Sequence, residues 1–155
     1  MNSITPQERG RQFETTVHYF ISQTKCIIMR ENDIIKKYGV NNKGIDHLIY
    51  VNNYIICIQD KWMSSKPSLS CVHHFIKCVE NISEIEKCKC IGIYLSNLPL
   101  TSVALQVFDI ENWKNKNHYV SIYDENEEKL LKKLMKMFYK NKIWFFEQDG
   151  CCIML

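Results

Sequence analysis

An α/β fold, with one mixed sheet flanked by helices on both faces, is what this sequence predicts, and three observations carry the expectation. Two runs rich in Ile, Val and Tyr, Ile45 to Val51 and Tyr54 to Asp60, flank Asn52-Asn53. Such runs suit a pleated, packed surface, and Asn tolerates the positive φ that a two-residue hairpin loop needs. Further along, apolar strand-like runs alternate with helical patterns, an order that adds parallel strands to a sheet through crossovers. Both faces of the hairpin are apolar, which calls for helices on both sides.

The elements follow in chain order. Thr5-Pro6-Gln7-Glu8 forms a capping box with proline at the first helical position. Phe13, Val17, Phe20 and Ile21 then recur on one helical face. Glu14 lies beside that face, where a boundary carboxylate is ordinary. From 25 to 43 the pattern is ambiguous: Cys26 to Met29 reads as a short strand, and Asp33 to Tyr38 as a helical turn or two ended by Gly39. After the hairpin, WMSSKPSLS is a loop, and Pro67 with Ser68 or Ser70 opens a second helix running to about Ile82. Lys89 to Ser96 is apolar on both faces and reads as a central buried strand. Pro99 begins a third helix to about Asn112, and His118 to Tyr123 is another short strand. Asp124 is expected to cap the last helix, with Glu127 three residues on and Leu130, Leu131, Leu134 and Phe138 facing inward.

At 155 residues, 46% hydrophobic and 24% charged, the chain has the length and balance of one globular domain. We assign it to residues 1–142, followed by a tail, 143–155, whose Ile143 to Phe146 is apolar enough to dock on the core. No apolar run is long enough to span a bilayer, and MNSITPQERGRQFE lacks the apolar centre of a signal peptide. The expectation is a soluble intracellular protein of cytoplasm or nucleus. In that setting the eight cysteines are reduced thiols, and no pair of CxxC motifs supports a zinc site. The formal charge of +3 permits nucleic-acid binding without arguing for it. The preference for Lys (17) over Arg (3), with abundant Ile and Asn, resembles translation of an AT-rich genome, such as that of a virus.

The hairpin register gathers a polar rim. If Val51 pairs with Tyr54, then Ile49 faces Ile56 and Asp46 lies opposite Gln59. Lys61 shares a face with Gln59, and Asp60 points the other way. A one-residue slip would scatter the three. On the residues alone, strand-end solvation is the more ordinary explanation of this rim.

In order and spacing, the motifs resemble the PD-(D/E)xK nuclease superfamily, and within it the catalytic domain of Mrr-type restriction endonucleases. GRQFE (Gly10 to Glu14) resembles the first-helix motif. GID (Gly44 to Asp46) resembles the metal-binding Asp after a glycine, and IQDKW (Ile58 to Trp62) the QxK version of the catalytic strand. VHHFIKCVENI, IGIYLSNLPLTSVALQVF and YVSIYD follow the later elements, so the likeness spans roughly residues 8 to 135. The segment from Met29 to Lys43 departs from the family pattern.

The resemblance implies a restriction-endonuclease-like fold and a Mg²⁺- or Mn²⁺-dependent endonuclease acting on DNA, with a homodimer as a possible assembly. Asp46, Gln59, the backbone carbonyl of Asp60 and Glu14 would hold the metal ion, and Lys61 would hold the attacking water. With Gln59 in place of Glu the site is one negative charge short, which makes Glu14 more necessary. Lys66, Arg9 and Arg11 are candidate phosphate contacts. Trp62 either stacks on a base or packs in the core, and His73 and His74 are read as one exposed and one packed residue. A structure-specific nuclease such as a Holliday-junction resolvase, or a non-catalytic DNA-binding module on the same fold, are the alternatives. The last four residues, Cys152-Ile-Met-Leu, fit a prenylation box below Lys132, Lys133, Lys136, Lys140 and Lys142. Four-residue matches arise often by chance, so a lipid anchor at Cys152 is the minor reading.

Overall fold

Capping chemistry sets where most of the helices begin. In the computed structural model, which describes residues 3–39, 44–146 and 152–154, Thr5 closes its capping box with Glu8 and opens α1 (Pro6–Ser22). The ambiguous stretch resolves into β1 (Ile27–Arg30) and, with no loop between them, α2 (Glu31–Tyr38). Gly39 ends α2 in the left-handed region, at φ 67°, where a side chain would be strained. The hairpin is β2 (His47–Val51) and β3 (Tyr54–Lys61). Ser68 caps α3 (Leu69–Glu86), which runs one turn beyond Ile82 and stops at Lys87, with φ 52°. Next come β4 (Lys89–Ser96), α4 (Ser102–Trp113) capped by Thr101, β5 (His118–Tyr123) and α5 (Glu127–Lys140). A short ribbon of β6 (Trp144–Phe146) and β7 (Cys152–Met154) closes the described chain.

Two helix starts differ from expectation. Asn126, not Asp124, caps α5: its side chain accepts from Lys129 N–H. Asp124 instead accepts from Asn126 N–H at 2.9 Å, making a separate turn two residues earlier. Pro99 precedes α4 without starting it, because the Thr101 hydroxyl accepts the free amide of Ala104.

The sheet has the order β1-β2-β3-β4-β5. β1, β2 and β3 pair antiparallel, and β4 and β5 are added parallel to β3. It is therefore mixed, and each face carries its own core. On one face Phe13, Val17 and Ile21 of α1 and Leu130, Leu134 and Phe138 of α5 pack on Ile56, Ile58 and Ile93. On the other, Val72, Phe75 and Val79 of α3 and Ala104 and Phe108 of α4 pack on Ile55, Cys57 and Tyr94. Fully burying an aliphatic or aromatic side chain contributes roughly 1.5–3 kcal/mol, so these two layers dominate the stability. Ile143, at the head of the tail, is buried in the α1/α5 layer. Among the described residues, no helix is long and apolar enough to cross a membrane.

This topology brings several element ends to one rim. In the parallel part Lys61 pairs with Ser96, and Ser96 with Tyr123. In the antiparallel part Arg30 pairs with His47, and His47 with Ile58. The end of β1, the start of β2 and the ends of β3, β4 and β5 thus share one edge of the molecule.

Gly44 lets the chain reach that rim. A Cβ there would collide with Cys78 Sγ on α3 and lie 3.1 Å from Cys78 Cβ and 3.2 Å from His74 Nε2. Overpacking of this kind costs about 1–3 kcal/mol. Gly44→Ala is therefore expected to lower stability by that amount in urea titrations, and Cys78→Ala to recover part of it in the double variant. Additive losses in the double variant would show that the collision is not the cause.

Candidate active site

Asp46 sits one residue before β2, where the hairpin register fixes it. Its amide donates to Ile58 O at 2.8 Å, the carbonyl of the residue paired with His47, so Asp46 steps out of the β2–β3 register just where the ladder ends. Beyond the His47–Ile58 and Arg30–His47 pairs, Gln59 and Glu31 are the next residues of the segments that flank Asp46 on either side. The Asp46 carboxylate turns along the rim, and its Oδ2 accepts from Asp60 N–H at 2.8 Å and from Gln59 Nε2 at 3.4 Å.

Two more carboxylates close on Asp46. Glu14 comes from the middle of α1 and Glu31 from the first turn of α2. One oxygen of each lies within 4.8 Å of the others. Neither Glu14 nor Glu31 has a hydrogen-bond or ion-pair partner among the described residues. Two unit charges at that separation repel by on the order of 3 kcal/mol at an effective dielectric constant near 20. The three line one open cavity of about 510 Å³ together with Arg11, Asp60 and Lys61. All three donors are hard oxygens, so the set fits Mg²⁺ or Mn²⁺ and offers nothing to a soft metal.

Behind the cavity lies a second polar layer. His47 Nε2 and Asp60 Oδ2 share a short hydrogen bond, and both side chains are buried. Burial is the main cause on each side: it lowers the imidazole below its usual value and, with Glu14 adding repulsion, pushes Asp60 up to about 8. One shared proton leaves the pair uncharged. The His47 ring stacks on His18 at 6.2 Å between centroids, and the Nδ1 atoms of both rings are buried without partners among the described residues. Asp46 is likewise raised well above the ordinary carboxylate range, first by burial and then by the charge of Asp60.

The residues singled out in the sequence divide as follows. Asp46, Glu14, Lys61, Asp60 and Arg11 line the cavity. Gln59, 2% exposed, lies behind Asp46 as its hydrogen-bond donor and is not among the lining residues. Arg9 is engaged elsewhere: its guanidinium covers the Trp62 ring at 4.0 Å and pairs with Glu127 at 3.2 Å. Trp62 also packs on Phe13, 5.2 Å between centroids, so it belongs to the cavity wall and to the edge of the core at once. Lys66 is exposed in the loop after β3 and does not line the cavity. His73 is exposed and His74 half-buried. The box from Cys152 ends at Leu155, outside the described residues.

Sequence reasoning passed over Glu31 and His47. The signal for Glu31 was the short strand before it, since pairing that strand with β2 brings Glu31 beside Asp46. The signal for His47 was strand alternation, which puts it diagonally beside Asp60 on the opposite face from Gln59. No family model, curated protein or solved structure matches the chain.

The raised carboxyl groups give the fold a pH dependence of definite sign. A carboxyl whose folded pKa lies above its unfolded value of 3.8 favours the folded state at low pH, and that contribution is lost as pH rises through about 8 for Asp60. His47, lowered from 6.5, acts oppositely, but only as pH falls below 6.5. In EDTA the melting temperature should therefore fall as pH rises from 6.5 to about 8. The double variant Asp46→Asn/Asp60→Asn should flatten the profile; an unchanged slope would contradict this account of the rim.

Proposed function

We propose that this protein is a divalent-cation-dependent DNA endonuclease acting at the Asp46 rim. The observation that carries the reading is the convergence of Glu14, Glu31 and Asp46 beside Lys61 in one open cavity. Three carboxylates without a matching cluster of cations are costly unless they are protonated or a cation joins them. Phosphodiester hydrolysis has a use for such a cation, because Mg²⁺ or Mn²⁺ neutralises charge on phosphoryl oxygens and acidifies water.

The chain's own residues then take distinct parts. Asp46, Glu14 and Glu31 are the cation ligands. Gln59 holds Asp46 in orientation through its amide, so its part is support more than ligation. The Asp60 backbone N–H does the same from the adjacent position, and its side chain is held out of the way by His47. Lys61, on the cavity wall, orients the attacking water and stabilises the negative charge that develops on phosphorus oxygens. Arg11 faces the same space and suits a phosphate contact. The covered ring of Trp62 makes it a wall and not a stacking platform on the side that Arg9 occupies.

The deciding experiment incubates supercoiled plasmid and branched DNA with the purified protein in Mg²⁺, Mn²⁺ or EDTA. Lys61→Ala should lower the cleavage rate by on the order of 100-fold or more while DNA affinity and melting temperature change little, because its charge acts mainly in the transition state. Asp46→Ala should abolish cleavage. Equal cutting by wild type and Lys61→Ala would exclude this site. No cutting of any DNA by wild type would move the reading to a non-catalytic DNA-binding module, and a strong preference for branched DNA to a junction resolvase.

Glu31 has its own test. Glu31→Gln should weaken Mn²⁺ binding in titration calorimetry by roughly 10- to 100-fold, the order expected when one close charge is removed. Glu128→Gln, on the exposed face of α5, serves as the control and should leave the affinity unchanged. Equal Mn²⁺ affinity in wild type and Glu31→Gln would remove Glu31 from the ligand set.

A further inference from the structure

We infer that the groove between β5 and α5 is a track for the phosphate backbone of double-stranded DNA, leading away from the Asp46 cavity. The inference rests on the nuclease reading above and extends it to a second surface, on the far edge of the sheet from β1.

The direction of α5 makes the track. At its start, Glu127 pairs with Arg9 near Trp62. Just past its end, Asn141 O accepts from the Tyr54 hydroxyl, at the opposite end of β3 from Lys61. α5 therefore runs back from the rim along β5. The groove between them, about 300 Å³, has an apolar floor that includes Val120, Ile122 and Met137, and its polar wall is Lys133, Lys136 and Lys140. Among the described residues, no acidic side chain lines it. The three lysines are spaced i, i+3 and i+7, one row rising over about 10 Å of helix.

Their surroundings separate this row from an ordinary solvated face. Lys133 is fixed: it donates to Tyr123 O at 2.8 Å, pairs with Asp124 at 3.2 Å and lies 5.3 Å from the Tyr123 ring centroid. Lys136 and Lys140 have no ion-pair or hydrogen-bond partner among the described residues. The acidic residues of α5, Glu127 and Glu128, are confined to its first turn.

Charge complementarity selects a polyanion. B-DNA carries one negative charge per about 1.7 Å of axis, so a row of about 10 Å faces several phosphates. The row also begins in the right place. Tyr123 is two strands from Lys61 along the pairing through Ser96, which at about 4.8 Å per strand is roughly 10 Å. That distance is within the width of one major groove, about 12 Å, so a single duplex can touch both places.

The test uses Lys136→Gln/Lys140→Gln, since both side chains are solvent-facing and neither belongs to the cavity. Binding of a short fluorescent duplex is followed by anisotropy in EDTA across a salt series. The double variant should reduce the slope of log K against log[salt] by about 1.8, and lower affinity near 0.1 M salt by on the order of 10-fold or more. Lys136→Arg/Lys140→Arg should keep wild-type values. In the cleavage assay KM should rise while kcat at saturating DNA stays unchanged. If wild type binds and cuts DNA and the Gln variant matches it in slope and affinity, the track is wrong and the nuclease reading survives. If wild type neither binds nor cuts DNA, both fall together. A parallel arm uses phosphatidylserine vesicles: capture of wild type but not of the Gln variant, with DNA affinity untouched, would assign the lysine row to an anionic membrane surface and overturn the inference.

Discussion

With Val51 set against Tyr54 across the Asn52-Asn53 turn, the β2–β3 ladder reaches His47, the neighbour of Asp46, in a single register, and the rim depends on that register. The amide of Asp46 is spent on Ile58 O, and its carboxylate receives the amide of Asp60. A shift of one residue would exchange the two faces of β3. It would then bring Gln59 under α1 and Asp60 under α3. The buried His47–Asp60 bond would be lost, and two buried polar groups would be left without partners. Hydrophobic alternation resists the slip as well, because Ile56 and Ile58 serve one core layer and Ile55 and Cys57 the other.

The rim concentrates acid in a protein that is basic overall. Glu14, Glu31, Asp46 and Asp60 meet at one end of the sheet, against Lys61 and Arg11 on the cavity wall. Burial is the main cause of the upward shifts at Asp46 and Asp60; repulsion from Asp60 and Glu14 adds to it at Asp46, and from Glu14 and Glu31 at Asp60. The protein moderates the crowding by pairing Asp60 with His47, so that one of the four carboxyl groups is removed from the cavity's charge. Among the described residues, the other three have no such partner. This asymmetry, one acid neutralised from behind and three left facing a common space, separates the rim from simple strand-end solvation.

Much of this was legible from residues alone. The turn at Asn52-Asn53, the alternation in β3, the doubly apolar run of β4 and the capping box at Thr5 each specify local structure strongly, and their combination gives the mixed sheet and its helical layers. Asp46, Glu14 and Lys61, singled out by register and motif, line one cavity. Gln59 was placed correctly on its strand, but the direction of its amide depends on how far Asp46 turns after the ladder ends, and periodicity does not carry that information. The partners of Arg9, Trp62 and Glu127, were not legible, because they are remote in sequence and meet it only after α1 and α5 pack. Glu31 was hidden in the stretch between 25 and 43. A four-residue strand joined directly to an eight-residue helix gives neither period enough length to show.

That direct junction has a thermodynamic corollary. β1 is an edge strand and α2 follows it directly, and within the two only Ile34 and Tyr38 are buried. Such a unit opens at a free energy well below that of the central strands, so its amides exchange with solvent through partial unfolding that spares the core. Glu31 rides on this unit, whereas Asp46 adjoins the central hairpin and Glu14 rides on α1, which is anchored in the core by Phe13, Val17 and Ile21. Assembly of the three-carboxylate set is therefore a closing equilibrium of one sheet edge. A cation gripping all three would draw that edge shut in proportion to its concentration, by mass action.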